Sequence, residues 1–155
     1  MIFVTIGTHP DQFDRLIKRI DEIAPLIKEK IIVQRGFTKY KPKNVEYFDF
    51  TDNIDKYYKD SRIVIAQSAT SLIEFVLKYG KPVITIPRES RYKEHINDHQ
   101  VEFAEYFAKR ANVLMIRDMR NLTPKLLTGY NRKPKIKLDG LHKLQNKIRS
   151  AIDEL

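Results

Sequence analysis

Short runs of β-branched and aliphatic residues recur along this chain, and most are followed by segments whose apolar residues return every three or four positions. The first kind of run suits a strand buried on both faces, the second an amphipathic helix lying over it. Ile2 to Ile6 opens the series. Phe13, Leu16, Ile17, Ile20 and Ile23 then step at helical spacing, predicting a helix over 11–24 that opens on acidic residues and ends near Pro25. Lys30 to Gln34 and Val45 to Phe50 are the second and third strands, joined by a loop holding Gly36 and Pro42. Thr51 or Asp52 can cap a short helix from Asn53 to Lys59.

Arg62 to Ala66 forms the fourth strand. Leu72, Ile73, Phe75, Val76 and Tyr79 mark a helix closed by Gly80, a residue free to take the left-handed cap geometry. Pro82 to Ile86 is the fifth strand. Val101, Ala104, Phe107 and Ala108 predict a further helix, and Asn112 to Ile116 a sixth strand. From Asn131 to Lys137 the pattern breaks, with Pro134 among clustered Lys and Arg, so this stretch reads as a linker. Leu141, Leu144, Ile148, Ile152 and Leu155 share one face of a final predicted helix. The organisation expected is a domain over 1–130, then a basic linker and amphipathic helix over 131–155. Strands alternating with helices predict the α/β class, a Rossmann-like parallel sheet with helices on both faces. In such sheets ligands bind beyond the carboxyl ends of the strands, so the residues following each strand hold the interest.

Composition narrows the chemistry. The 155 residues suit one domain, and the absence of cysteine excludes disulfides, thiolate metal sites and a cysteine nucleophile. A formal charge of +9 favours an anionic partner: nucleotide, phospholipid surface or nucleic acid. The sequence carries no RNP-type motif and no interleaved basic and aromatic run, so nucleic acid rests on charge alone. No signal-peptide pattern and no membrane-length apolar stretch is present, so the expectation is a cytoplasmic protein whose membrane contact is peripheral.

Three turns carry candidate chemistry. Gly7-Thr8-His9-Pro10 follows the first strand and leads into a helix, whose free N–H groups suit a phosphate, with the Thr8 hydroxyl as a further donor; a plain strand-to-helix turn fits the same residues. Neither a dinucleotide-binding glycine fingerprint nor a P-loop is present. Gln67, Ser68, Thr70 and Ser71 cluster after the fourth strand, ahead of a helix carrying Glu74. They suit phosphate and ribose, while Ser68 or Thr70 also fits helix capping, and Glu74 can complement the helix dipole or accept ribose hydroxyls. Arg88 follows the fifth strand, and Asn97, Asp98, His99 and Gln100 then offer the donors and acceptors a sugar needs. His95 and His99, four apart, can share a helix face, yet no third ligand accompanies them, so neither metal nor other cofactor is expected.

The stretches IFVTIGTHPDQFDRLI, IVIAQSATSLIEFVLKYGKPVITIPR and EHINDHQVEFA, in this order, resemble the C-terminal donor-binding domain of family 28 glycosyltransferases, the MurG-like group of GT-B architecture. Within it they are most similar to the small subunits of split enzymes: the catalytic subunit of the dolichol-pathway N-acetylglucosaminyltransferase and the PssE-type subunits of bacterial exopolysaccharide synthesis. The resemblance spans residues 1–116. It implies that Gly7, Thr8 and His9 face a diphosphate, that Glu74 holds a ribose, and that Asn97, Asp98, His99 and Gln100 approach the donor sugar. It also implies a UDP-sugar donor, a membrane-anchored acceptor-binding subunit, a lipid-linked sugar acceptor, and metal-free inverting transfer. His9, His99 or a residue of the partner is then the general base. One feature departs from the family pattern: Ala66 to Thr70 contains neither the histidine nor the glycine-rich turn usual after the fourth strand. A nucleotide-sugar-binding or regulatory subunit without catalysis is the alternative.

Overall fold

In the computed structural model, which describes residues 1–135, six parallel strands form one sheet of order β3-β2-β1-β4-β5-β6. They are β1 (Ile2–Thr5), β2 (Ile31–Gln34), β3 (Glu46–Phe48), β4 (Ile63–Gln67), β5 (Val83–Ile86) and β6 (Leu114–Met115). β1 sits at the centre, with Ile2 in register with Ile31 on one side and Ile63 on the other. Strand order reverses between β1 and β4, which is where a doubly wound sheet opens a crevice for ligand.

Among the described residues five α-helices cover the sheet: α1 (Asp14–Ile23), α2 (Ile54–Asp60), α3 (Thr70–Tyr79), α4 (His99–Ala111) and α5 (Pro124–Gly129). Successive side chains of a strand point to opposite faces, so the aliphatic runs feed two separate cores. On one face Ile2, Val4, Ile63, Ile65, Ile84 and Ile86 pack with Leu16, Ile17 and Ile20 of α1 and Leu127 of α5. On the other, Phe3, Ile32, Val64 and Val83 pack with Leu72, Phe75 and Val76 of α3 and Phe107 of α4. Each such fully buried side chain contributes about 1.5–3 kcal/mol relative to exposure, which fixes the sheet as a rigid platform for the loops at its carboxyl end.

The expected elements all form within the described residues, with shifted ends. α1 begins at Asp14 rather than Asp11, because the chain before it is held from elsewhere: the Phe13 N–H donates to Thr38 Oγ1 and the Asp14 N–H to Gln12 Oε1. β3 is three residues long and half exposed, as suits a sheet edge. Asn53, not Thr51 or Asp52, caps α2, its side chain accepting from the Lys56 N–H. Asn112 belongs to no strand; it ends α4 in the left-handed conformation, and β6 shrinks to two residues. α5, capped by Thr123, is a helix the apolar pattern does not announce. The predicted helix carrying Leu141 to Leu155 lies outside the described residues.

Candidate functional site

The site is built on Gly7. β1 delivers the chain to this residue at the centre of the sheet's carboxyl edge, where its φ is +68°. A Cβ here would stand 2.0 Å from Gln67 Nε2. Glycine is therefore required twice, by its backbone angle and by the close approach of the Gln67 amide. The first two candidate turns thus meet across the β1–β4 crevice.

A cavity of about 410 Å³ opens beside them, between the sheet edge and the helices α2 and α3. Gly7, Thr8, Gln67, Thr70 and Ser71 line it, as do Thr5, Gln34 and Thr51. Ile54, Tyr58, Leu72 and Phe75 supply an apolar wall. Thr70 and Ser71 occupy the first turn of α3, so unpaired N–H groups and the positive end of the helix dipole lie at the cavity. Glu74, exposed, stands one turn further along, on the helix face shared with Thr70 and Ser71. A larger hollow of about 520 Å³ along the edge strand β6 contains none of the candidate residues.

Ser68 does not join the cavity. Its hydroxyl meets Thr85 Oγ1 at 2.7 Å beneath the turn and is buried, and α3 is capped by Ala69 with no side-chain bond, so neither Ser68 nor Thr70 acts as a helix cap. Arg88 is likewise placed differently from a rim residue. It is fully buried, and its guanidinium donates to Gln67 Oε1 at 2.7 Å and to the backbone carbonyls of Asp11, Gln12, Glu94 and Ile6. Burial pulls its pKa down to about 10, which leaves it charged at neutral pH. Each of its three nitrogens donates to the protein, so Arg88 holds the turns together from beneath rather than standing at the rim.

Arg88 also links the third turn. Its backbone N–H donates to Gln100 Oε1, while its side chain holds Gln67. Residues 88–99 are pinned further by Glu94, which is fully buried and takes a two-point contact from Arg15 at 3.0 and 2.9 Å. Within that frame Asp98 accepts from the Ser90 N–H and Asn97 from the His99 N–H. Their carbonyl or carboxylate oxygens are partly used, which leaves the Asn97 and Gln100 amide N–H groups and one Asp98 oxygen for other partners.

His95 precedes α4, which starts at His99, so these two residues do not share a helix face as their spacing suggests. His95 instead lies against His9, ring centroids 4.9 Å apart. Among the described residues no group of three His, Cys, Asp or Glu could hold a metal ion. The His9 pKa is lowered from 6.5, first by burial and then by the charge of Arg88, with Asp11 opposing. Its Nδ1 accepts from the Asp11 N–H at 3.2 Å, so the neutral ring carries its proton on Nε2 and presents a donor. His99 is exposed, with Nδ1 3.4 Å from the Glu102 carboxylate.

Thr5, Gln34, Ile54 and Tyr58 were not among the candidates from sequence. One signal was available: Thr5 and Gln34 are polar residues at the ends of otherwise apolar strands, and both prove buried.

A parallel sheet of this order with helices on both faces is Rossmann-like, and it matches the fold of the C-terminal domains of GT-B glycosyltransferases. The model of the glycosyltransferase family 28 C-terminal domain matches residues 1–155, and the chain belongs to that family. It is 37% identical over 73 residues to an "uncharacterized glycosyltransferase" of Methanosarcina acetivorans, covering 47% of this chain and 19% of the relative. It is 31% identical over 96 residues to the UDP-N-acetylglucosamine–N-acetylmuramyl-(pentapeptide) pyrophosphoryl-undecaprenol N-acetylglucosamine transferase of Flavobacterium psychrophilum, covering 57% of this chain and 25% of that protein. The chain thus spans a quarter or less of these relatives' length. The solution structure of ALG13 superposes with a TM-score of 0.56 at 18% identity, covering 92% of this chain and 93% of the other. MurG of Acinetobacter baumannii gives 0.55 at 17%, covering 81% and 38%.

Proposed function

We propose that this chain is the donor-binding subunit of a two-component inverting glycosyltransferase, which moves a sugar from a UDP-sugar, UDP-N-acetylglucosamine foremost, to a polyprenyl-diphosphate-linked acceptor. The observation that carries the reading is the cavity at the sheet's carboxyl edge, where Gly7, Gln67 and the first turn of α3 converge. In the proposed reaction the acceptor hydroxyl attacks the anomeric carbon, the bond from that carbon to the diphosphate oxygen breaks, and UDP leaves with the electron pair. Charge growing on the diphosphate is met by the N-terminal turn of α3, the hydroxyls of Thr8, Thr70 and Ser71, and the Gln67 amide. Asn97, Asp98 and Gln100 approach the sugar, and Glu74 the ribose.

The proton of the acceptor hydroxyl needs a base. Among the described residues no carboxylate or imidazole lines the cavity, and His9 can accept a proton only by giving up its bond from the Asp11 amide. This supports a base supplied by a membrane-anchored partner that binds the lipid-linked acceptor and recruits the chain peripherally to the cytoplasmic face of the membrane. It supports equally the narrower reading of a nucleotide-sugar-binding subunit without chemistry of its own. In the described residues no helix is long and apolar enough to cross a membrane. We assign residues 1–130 to donor binding and 131–155 to attachment.

Calorimetry of the chain against UDP, UDP-N-acetylglucosamine and GDP tests the donor: the uridine compounds bind and GDP does not. Failure of every uridine nucleotide to bind at millimolar concentration overturns the proposal. Full sugar transfer by the isolated chain contradicts the two-component part, and donor binding without turnover in the presence of the partner favours the non-catalytic reading.

A further inference from the structure

The cavity contains a buried amide whose N–H end has no hydrogen-bond partner among the described residues. Gln34, the last residue of β2, is 5% exposed and lines the cavity. Its Oε1 accepts from the Thr5 hydroxyl at 2.7 Å, and Thr5 Oγ1 in turn accepts from the Gly7 N–H at 3.3 Å. In this arrangement the Thr5 hydroxyl engages the carbonyl end of the amide and turns the Nε2 end away from it. Nε2 has no acceptor among the described residues and is not one of the enclosed unpaired atoms, so it opens on the cavity and is free to donate to a ligand there.

The cavity's two halves differ in polarity. Thr8, Thr70 and Ser71 stand at its rim with the helix N-terminus, where a charged diphosphate keeps both its partners and its water. Gln34 and Phe75, both buried, and the half-buried Ile54 and Tyr58 line the same cavity away from solvent, a setting that suits a flat uncharged ring with a carbonyl on its edge. We propose that Gln34 is the specificity-determining residue for the nucleotide, its Nε2 donating to a carbonyl oxygen of the base, with Thr5 as the positioning residue that holds the amide in that sense. This rests on the reading of the cavity as a uridine-nucleotide site. Uracil offers a carbonyl where cytosine carries an amino group, so a donor held by Thr5 accepts the first and opposes the second.

The test is calorimetric titration of the full chain with UDP and CDP. Wild type is expected to prefer UDP by at least about tenfold, the value of one hydrogen bond of this kind. Gln34→Met removes the donor, lowering UDP affinity about tenfold and collapsing the preference. Thr5→Val releases the amide to rotate, so CDP gains on UDP while UDP still binds. Circular dichroism establishes that each variant is folded. If Gln34→Met fails to fold, the wild-type side-chain amide resonances of Gln34 carry the test: they shift on addition of UDP and not of CDP. UDP binding by wild type with the same UDP-to-CDP ratio in both variants, or with unmoved Gln34 resonances, overturns the assignment and leaves the uridine site standing. No binding of UDP at all removes both.

Discussion

Substituting Gly7 by alanine measures how tightly the first two turns are locked. An alanine at φ +68° bears the left-handed penalty of about 1–2 kcal/mol. Its Cβ also displaces Gln67 Nε2, which lies 2.0 Å from that position, and Gln67 cannot simply swing aside because its Oε1 is held by Arg88 at 2.7 Å. Losing that charge-assisted bond adds about 1.5–3 kcal/mol. The combined loss of roughly 2.5–5 kcal/mol takes a large share of the about 5–15 kcal/mol that holds a typical domain folded. In urea the unfolding midpoint falls by about 1–2 M with unchanged slope. Gly80→Ala is the internal control: its φ is +58°, yet a Cβ there meets nothing within 4 Å, so it bears the conformational penalty alone. Gly7→Ala is expected to lose about twice the stability of Gly80→Ala and, unlike it, to weaken UDP binding. Equal midpoints for the two variants, with UDP affinity unchanged, refute the contact between the turns.

Two further predictions concern titration. Burial works to raise the Asp21 pKa, but the Tyr40 hydroxyl and the backbone N–H groups of Asn44 and Lys43 outweigh it and hold the carboxyl below 3.8. Its contribution is present above pH 3.8 and lost as the pH falls through the lower folded value, so Asp21→Asn costs about 1–2 kcal/mol near neutrality and the gap to wild type closes in acid; a gap independent of pH counts against the reading. In a proton NMR titration His9 takes up its proton below pH 6.5, the value of the unfolded chain, so acid withdraws stability as the pH drops below 6.5. A midpoint at or above 6.5 contradicts the burial and the Arg88 charge held responsible.

Much of the architecture was legible in the chain because burial on both faces of a parallel sheet demands continuous aliphatic runs, and Ile2 to Ile6, Arg62 to Ala66 and Pro82 to Ile86 leave few other solutions. Element ends were less legible, since long-range bonds set them: Thr38 holds the residue before α1, and Asn112 turns α4 off before β6. For the site, residue types after each strand singled out the turns, and of these Gly7 and Gln67 do meet.

The sequence by itself determined the alternation of strands and helices, the positions of the polar turns and the chemical types they carry, because periodicity and glycine geometry act locally. Only the tertiary structure decided direction. It turned Ser68 and Arg88 inward, separated His95 from His99 and set it on His9, and brought Thr5, Gln34 and Tyr58 to one cavity from three elements. The physical reason is that a side chain's partner lies across the sheet, dozens of residues away, where no local pattern reaches it.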